Sequence, residues 1–228
     1  MNLELKKRII SSFVLVFIFL FCLYIHKFTW LFFVISCCLL IWFEWINMVK
    51  KIKFKNIIKK YLSYILSFLY LLYAGIVFYI VGLDTSLFIL LASTCACSDI
   101  GGYIFGKIIG GKKLTKISPN KTISGSIGSF VFSITIFNLI IYIYGDIHNF
   151  KIEILIWNLI IPLILSLINQ LGDLFVSYFK RKAGIKNTSK LIPGHGGVLD
   201  RFDGIIFAIP SVMLLFILLS FFHPFYNL

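Results

Sequence analysis

The 228-residue chain is 60% hydrophobic and carries 22 Lys and Arg against nine Asp and Glu, a net charge of +13; its mean hydropathy is +0.98. This hydropathy excludes an ordinary water-soluble domain and predicts a single membrane-embedded domain over residues 1–228. The positive charge does not point to nucleic acid, because the basic residues fall in short clusters between apolar runs, the pattern of cytoplasmic loops next to anionic lipid.

Lys6-Lys7-Arg8 precedes the apolar run 9–25, as in a signal peptide. The run is followed by His26, Lys27 and Phe28 rather than by a small-residue cleavage site, so it reads as an uncleaved first span. Segments 28–49, 61–83, 86–106, 123–144, 154–179 and 204–222 also approach the ~20 apolar residues that cross a hydrocarbon core as a helix. The expected fold is all-α, a polytopic integral membrane bundle of about seven transmembrane helices. Pro162 is expected to kink the sixth. Cys22, Cys37, Cys38, Cys95 and Cys97 all lie in apolar runs without a second Cys or His pair, which argues for buried small hydrophobes rather than zinc ligands or disulfides.

Loop charge sets the orientation. The N-terminal tail and the 50–60, 107–122 and 180–203 loops hold three, six, five and six Lys and Arg, against only Lys27 and Lys151 on the opposite side. The positive-inside rule puts the N-terminus and both long polar loops, 107–122 and 180–203, in the cytoplasm.

Three acidic residues fall inside apolar spans, where a charge costs about 2.5–3.5 kcal/mol on insertion scales. Glu44, within Trp42-Phe43-Glu44-Trp45, lies near the cytoplasmic end of the second span, where snorkelling or a loop lysine would satisfy it; a functional role is equally open there. Asp99 sits about 12 Å of helix from the basic loop. Asp173 lies about two turns before Lys180. Both are expected to face the bundle interior or a polar cavity.

In the first polar loop, Ser118-Pro119 is expected to cap the helix that follows, with Lys121 and Thr122 beside its positive end. A plain helix start and a phosphate site are equally open there. The second loop is more specific. Asp200 and Asp203 are three apart and share a helix face, and Asp173 ends the preceding span. Three carboxylates brought together by a hairpin would repel one another unless a divalent cation joined them, and oxygen ligands favour Mg²⁺. Pairing with nearby Lys and Arg would account for any one of the three and poorly for all. The run Gly194-His195-Gly196-Gly197 would let the backbone approach a phosphate closely, with His195 as a substrate contact.

The stretch Ser177-Tyr178-Phe179-Lys180-Arg181, then Lys186-Asn187, Ser189 and Pro193-Gly194-His195-Gly196-Gly197-Val198-Leu199-Asp200-Arg201-Phe202-Asp203 resembles the signature of the phosphatidate cytidylyltransferases, the CDP-diacylglycerol synthases. Gly172-Asp173, Ser118-Pro119-Asn120-Lys121-Thr122 with Gly125, and Asp99-Ile100-Gly101-Gly102-Tyr103 resemble further motifs of that family, and Glu44-Trp45 an early Glu-Trp. The likeness is strongest over 95–205. Asn187 departs from it, standing where the family usually has Asp, and the segment before Glu44 is shorter than usual.

The resemblance implies the reaction of CTP with phosphatidate to give CDP-diacylglycerol and pyrophosphate, in phospholipid biosynthesis at a bacterial inner membrane with the site facing the cytoplasm. Asp173, Asp200 and Asp203 would bind Mg²⁺. Lys180, Arg181, Lys186 and Arg201 would hold phosphates. Ser118, Lys121 and Thr122, together with Asp99, His195, Gly196 and Gly197, would contact nucleotide or lipid phosphate. A second, monovalent cation and a homodimer are further expectations of the resemblance. The alternatives are a CTP-dependent polyprenol or dolichol kinase, which would release CDP, and a transporter or inactive scaffold with Asp99 and Asp173 in an ion pathway.

Overall fold

A computed structural model describes residues 3–54, 56–115, 117–144, 152–194 and 196–222. Among them the chain forms eight α-helices: α1 Leu3–Ile25, α2 Lys27–Lys50, α3 Ile57–Leu83, α4 Thr85–Ile108, α5 Ile123–Tyr144, α6 Ile152–Lys182, α7 Leu199–Phe202 and α8 Ile205–Phe222. No strand occurs among the described residues, only two isolated bridges, Lys113 with Thr122 and Ile192 with Gly196. Helices α2 to α6 contain apolar stretches long enough to cross a membrane, whereas the apolar parts of α1 and α8, Ile10–Ile25 and Ile205–Ile217, are shorter. In lipid, a helix is how such a run satisfies every backbone N–H and C=O internally. The protein is therefore an all-α integral membrane bundle. Helix α6 continues through Pro162.

The ends of the helices follow local chemistry. The imidazole of His26 accepts from the Phe28 N–H at 3.3 Å at the start of α2. Asn56 caps α3, its Oδ1 accepting from the Ile58 N–H at 2.8 Å. Helix α6 ends in a Schellman motif: the Ile185 N–H donates to the Lys180 carbonyl and the Gly184 N–H to the Arg181 carbonyl, both at 3.0 Å. Gly184 supplies the left-handed residue this motif needs, with φ of 69°.

The described chain divides into two compact units, each built from separated stretches. The first unit joins Met1–Thr85 to Phe175–Asp203. Its centre is the face of α2 carrying Trp30, Val34, Ile41, Met48 and Val49, with Ala74, Val77 and Val81 of α3, all buried. Trp30 donates its indole N–H to the Phe78 carbonyl at 3.2 Å. Phe13, Phe32, Ile65 and Ile76 point outward and are exposed, as a lipid-facing surface requires. Trp45 of α2 stacks on Phe175 and packs against Phe179, fixing the C-terminal end of α2 to the last turns of α6.

The second unit joins Ser86–Leu174 to Gly204–Leu228. Here α4 and α5 meet through glycines. A methyl group at Gly101 would lie 2.5 Å from the Gly128 carbonyl oxygen, and one at Gly125 2.7 Å from that of Gly102. Small residues let membrane helices approach to this distance, where dispersion and polar contacts act without a hydrophobic force between them. A buried polar run links α4, α5 and α6: Ser98 and Ser166 hydroxyls at 2.8 Å, Gln170 donating to Ser166 at 3.2 Å, and Ser126 donating to Gln170 at 2.6 Å.

Candidate functional site

In the first unit the segment after α6 folds back on itself. Ile192 and Gly196 exchange backbone hydrogen bonds of 2.8 and 3.1 Å, and the turn they close has Gly194 at φ 77° and Gly196 at φ 91°. The chain then enters α7, which carries Asp200. One oxygen of Asp200, Oδ2, accepts from the Thr188 N–H at 2.8 Å, the Thr188 hydroxyl at 3.0 Å and the Gly197 N–H at 2.9 Å. The other, Oδ1, receives the Lys180 ammonium at 2.9 Å. The same ammonium lies 3.7 Å from Asp203 Oδ2. The side chains of Lys180 and Asp200 are 11% and 6% exposed, so this is a largely desolvated ion pair whose remaining lone pairs are met by N–H groups. Arg181, Lys186 and Arg201 are exposed around it.

Burial alone would raise the Asp200 carboxyl, but the Gly197 N–H, the Lys180 ammonium and the Thr188 N–H outweigh it, and the net shift is downward. Because the folded value is depressed, ionised Asp200 contributes stability above the usual aspartate range, near pH 3.9, and loses it as pH falls through the folded value. Amide-exchange protection of residues 188–194 and 196–199 should therefore hold from neutral pH down to about pH 5 and weaken progressively as the pH falls below the usual aspartate value. Loss of protection beginning near pH 6, measured by hydrogen exchange, would contradict this.

The glycine pair lies against side chains of the protein itself. A methyl group at Gly196 would fall 2.7 Å from Asp200 Oδ2, and one at Gly197 would collide with the Thr188 hydroxyl and both carboxylate oxygens of Glu44. The backbone here closes on two carboxylates of the protein. His195 lies outside the described residues.

In the second unit Lys121 and Asp173 form an ion pair of 2.5 Å, each about a quarter exposed. Ser118 and Pro119 do not start a helix, contrary to the expectation. They form a turn closed by the Lys121 N–H donating to the Ser118 carbonyl at 3.1 Å, with proline at the position that its fixed φ favours. Pairing of Lys112–Leu114 with Lys121–Ile123, through bonds of 2.8 and 3.0 Å, keeps the chain extended to Thr122. Thr122 is the cap of α5, its Oγ1 accepting from the Gly125 N–H at 3.1 Å. Asp99 is exposed, with its Oδ1 accepting from Asn169 at 2.8 Å.

Each of the three carboxylates expected to bind metal thus has a lysine partner: Asp173 has Lys121, and Asp200 and Asp203 share Lys180. Lysine pairing, which looked poor for all three together, occurs at each. No group of three or more His, Cys, Asp or Glu placed to hold a metal ion occurs among the described residues. Asp200 Oδ1 and Asp203 Oδ2 nevertheless face one cation, and oxygen donors of this kind suit Mg²⁺, which needs only one or two carboxylates when phosphates and water complete its shell.

Sequence reasoning singled out Glu44 but not its partners. Glu44 neither snorkels nor pairs with a loop lysine in the hydrogen bonds and ion pairs seen: four neutral donors of the 188–199 segment reach it. The available signals were a carboxylate inside an apolar run and a hydroxyl pair, Thr188-Ser189, beside a Gly-Gly step.

A family model described as the cytidylyltransferase family matches residues 51–219. Over 121 residues the chain is 41% identical to a protein named phosphatidate cytidylyltransferase from Staphylococcus epidermidis, and 43% identical to one of the same name from Staphylococcus aureus strain COL. Each alignment covers 53% of this chain and 45% of the relative, so the chain matches about half the length of these curated relatives.

Proposed function

The chain belongs to the cytidylyltransferase family, and from that premise we propose that it transfers the cytidylyl group of CTP to phosphatidate. A phosphate oxygen of phosphatidate, already anionic near neutral pH, attacks the α-phosphorus of CTP. The bond from that phosphorus to the β-phosphate bridge breaks, pyrophosphate leaves, and CDP-diacylglycerol remains in the membrane. No proton has to be removed from the nucleophile, so the site needs no strong base. It needs cations to bring two anions together, alignment for in-line attack, and stabilisation of the leaving group.

The observation that carries this reading is the Lys180–Asp200–Asp203 cluster with Arg181, Lys186 and Arg201 exposed beside it, inside the region that matches the family. The exposed cations would bind phosphate oxygens, the guanidinium groups in two-pronged fashion. Lys121 adds a further ammonium in the 107–122 loop, with Ser118 and Thr122 close in sequence. Asp173, in the second unit, is a carboxylate of the same ligand chemistry, and Mg²⁺ would be held by carboxylate oxygens of Asp200 and Asp203. When bound it would offset the charge developing on phosphate oxygens. The 20-to-2 bias of loop Lys and Arg supports placing both polar loops on the cytoplasmic side of a bacterial inner membrane, where CTP is available.

The test is purified protein in detergent with phosphatidate, Mg²⁺ and CTP labelled in the cytosine ring. Label entering the lipid fraction together with released pyrophosphate is the expected result. Phosphate transferred to a lipid alcohol with release of CDP would instead identify a lipid kinase. With folded protein, absence of both products would overturn the reading.

A further inference from the structure

Glu44 sits upstream of the region that matches the family, which begins at residue 51, and is 1% exposed. Its place on α2 is fixed by its neighbours: Met48 and Val49 are fully buried, and Trp45 is locked against Phe175 and Phe179. Oε2 accepts from the Thr188 hydroxyl and the Leu199 N–H, both at 2.8 Å. Oε1 accepts from the Ser189 hydroxyl at 2.7 Å and the Val198 N–H at 3.0 Å. A carboxylate has about four acceptor positions, and here one segment of chain fills four.

Two of these donors are the backbone N–H groups at the entry to α7, the helix that carries Asp200. A third, the Thr188 hydroxyl, also lies 3.0 Å from Asp200 Oδ2. Thr188 thus stands between the two carboxylates, and its single proton can serve only one of them at a time. The Gly197 N–H completes the arrangement on Asp200, and Gly197 can take this position only because it has no Cβ to strike Glu44. The placement of Asp200 before Lys180 is therefore set from α2, through contacts between residues 144 to 155 positions apart in sequence.

We propose that Glu44 is a positioning residue for cytidylyl transfer: through Thr188, Ser189 and the Val198 and Leu199 amides it holds the segment that presents Asp200 and Lys180. The proposal rests on the reading of that segment as the transfer site. A carboxylate that positions the reacting groups without touching either substrate acts on turnover more than on binding.

Glu44→Gln keeps the shape but places an NH₂ group against N–H and O–H donors. Thr188→Val removes the bridging hydroxyl, and Thr188→Ser retains it. In protein that elutes as wild type from a sizing column, Glu44→Gln and Thr188→Val should each lower kcat about tenfold or more. KM for CTP and for phosphatidate should stay within about twofold, and Thr188→Ser should recover most of the kcat. Hydrogen exchange, which needs no substrate, should show faster exchange at the Val198 and Leu199 amides of Glu44→Gln than of wild type. If wild type forms no labelled lipid, the functional reading fails, and the exchange experiment still decides whether Glu44 holds the segment. Unchanged exchange at both amides would overturn the proposal. So would wild-type kcat in a folded Thr188→Val, a loss confined to KM, or no recovery in Thr188→Ser.

Discussion

Lys180→Met should abolish cytidylyl transfer and destabilise the protein by about 3–5 kcal/mol, the cost of leaving one partner of a buried ion pair uncompensated. The variant removes the ammonium that pairs with Asp200 Oδ1 at 2.9 Å and leaves a carboxylate that is 6% exposed. Its Oδ2 keeps three donors from Thr188 and Gly197, so the loss should fall toward the lower end of that range. Thermal melting in detergent measures the stability and the labelled-CTP assay the activity. The double variant Lys180→Met with Asp200→Asn separates the two effects. Removing both charges should recover much of the stability, because no unpaired ion remains buried, while activity stays lost. A double variant no more stable than Lys180→Met would show that the pair does not carry the local stability. Turnover in Lys180→Met would remove Lys180 from the proposed machinery.

Gly197→Ala should be nearly as damaging for a purely steric reason. Gly197 has no left-handed backbone conformation, so alanine meets no φ penalty there. The added methyl instead runs into the Thr188 hydroxyl and both Glu44 carboxylate oxygens, which are bonded in place and cannot move without losing partners. Overpacking of this kind costs about 1–3 kcal/mol, and more where the neighbours cannot shift. Gly184→Ala is the contrasting case. Gly184 is left-handed at φ 69° but has open space around its missing Cβ, so the cost is conformational, about 1–2 kcal/mol, and falls on the end of α6. Activity per folded molecule should collapse in Gly197→Ala and survive in Gly184→Ala. Equal activities in the two folded variants would show that the close approach at Gly197 is not needed.

Asn187 links the comparison with the family to the geometry. A methyl at Gly196 would lie 3.3 Å from the Cβ and Cγ of Asn187 and 2.7 Å from Asp200 Oδ2. Asn187 thus borders the same turn as Asp200, and its amide adds no third negative charge beside the Asp200–Asp203 pair.

What the sequence determined by itself was whatever depends on neighbours along the chain. The apolar segments 28–49 and 123–144 became α2 Lys27–Lys50 and α5 Ile123–Tyr144, because in lipid a long apolar run can satisfy its backbone only as a helix. The spacing of Asp200 and Asp203 likewise marked two carboxylates able to share a partner, which is Lys180. Tertiary structure decided which distant groups meet. Ser118-Pro119 has the composition of a helix start, yet bridging of Lys113 to Thr122 moves the start to Ile123. Nothing local to Asp173 names Lys121 as its partner. Nothing near Glu44 says that its four donors come from 188–199. A buried carboxylate requires donors, and sequence reveals that requirement; only the packing of α2 against the end of α6 and the following loop brings those donors to it, because hydrogen bonds and ion pairs act over a few ångströms of space whatever the separation along the chain.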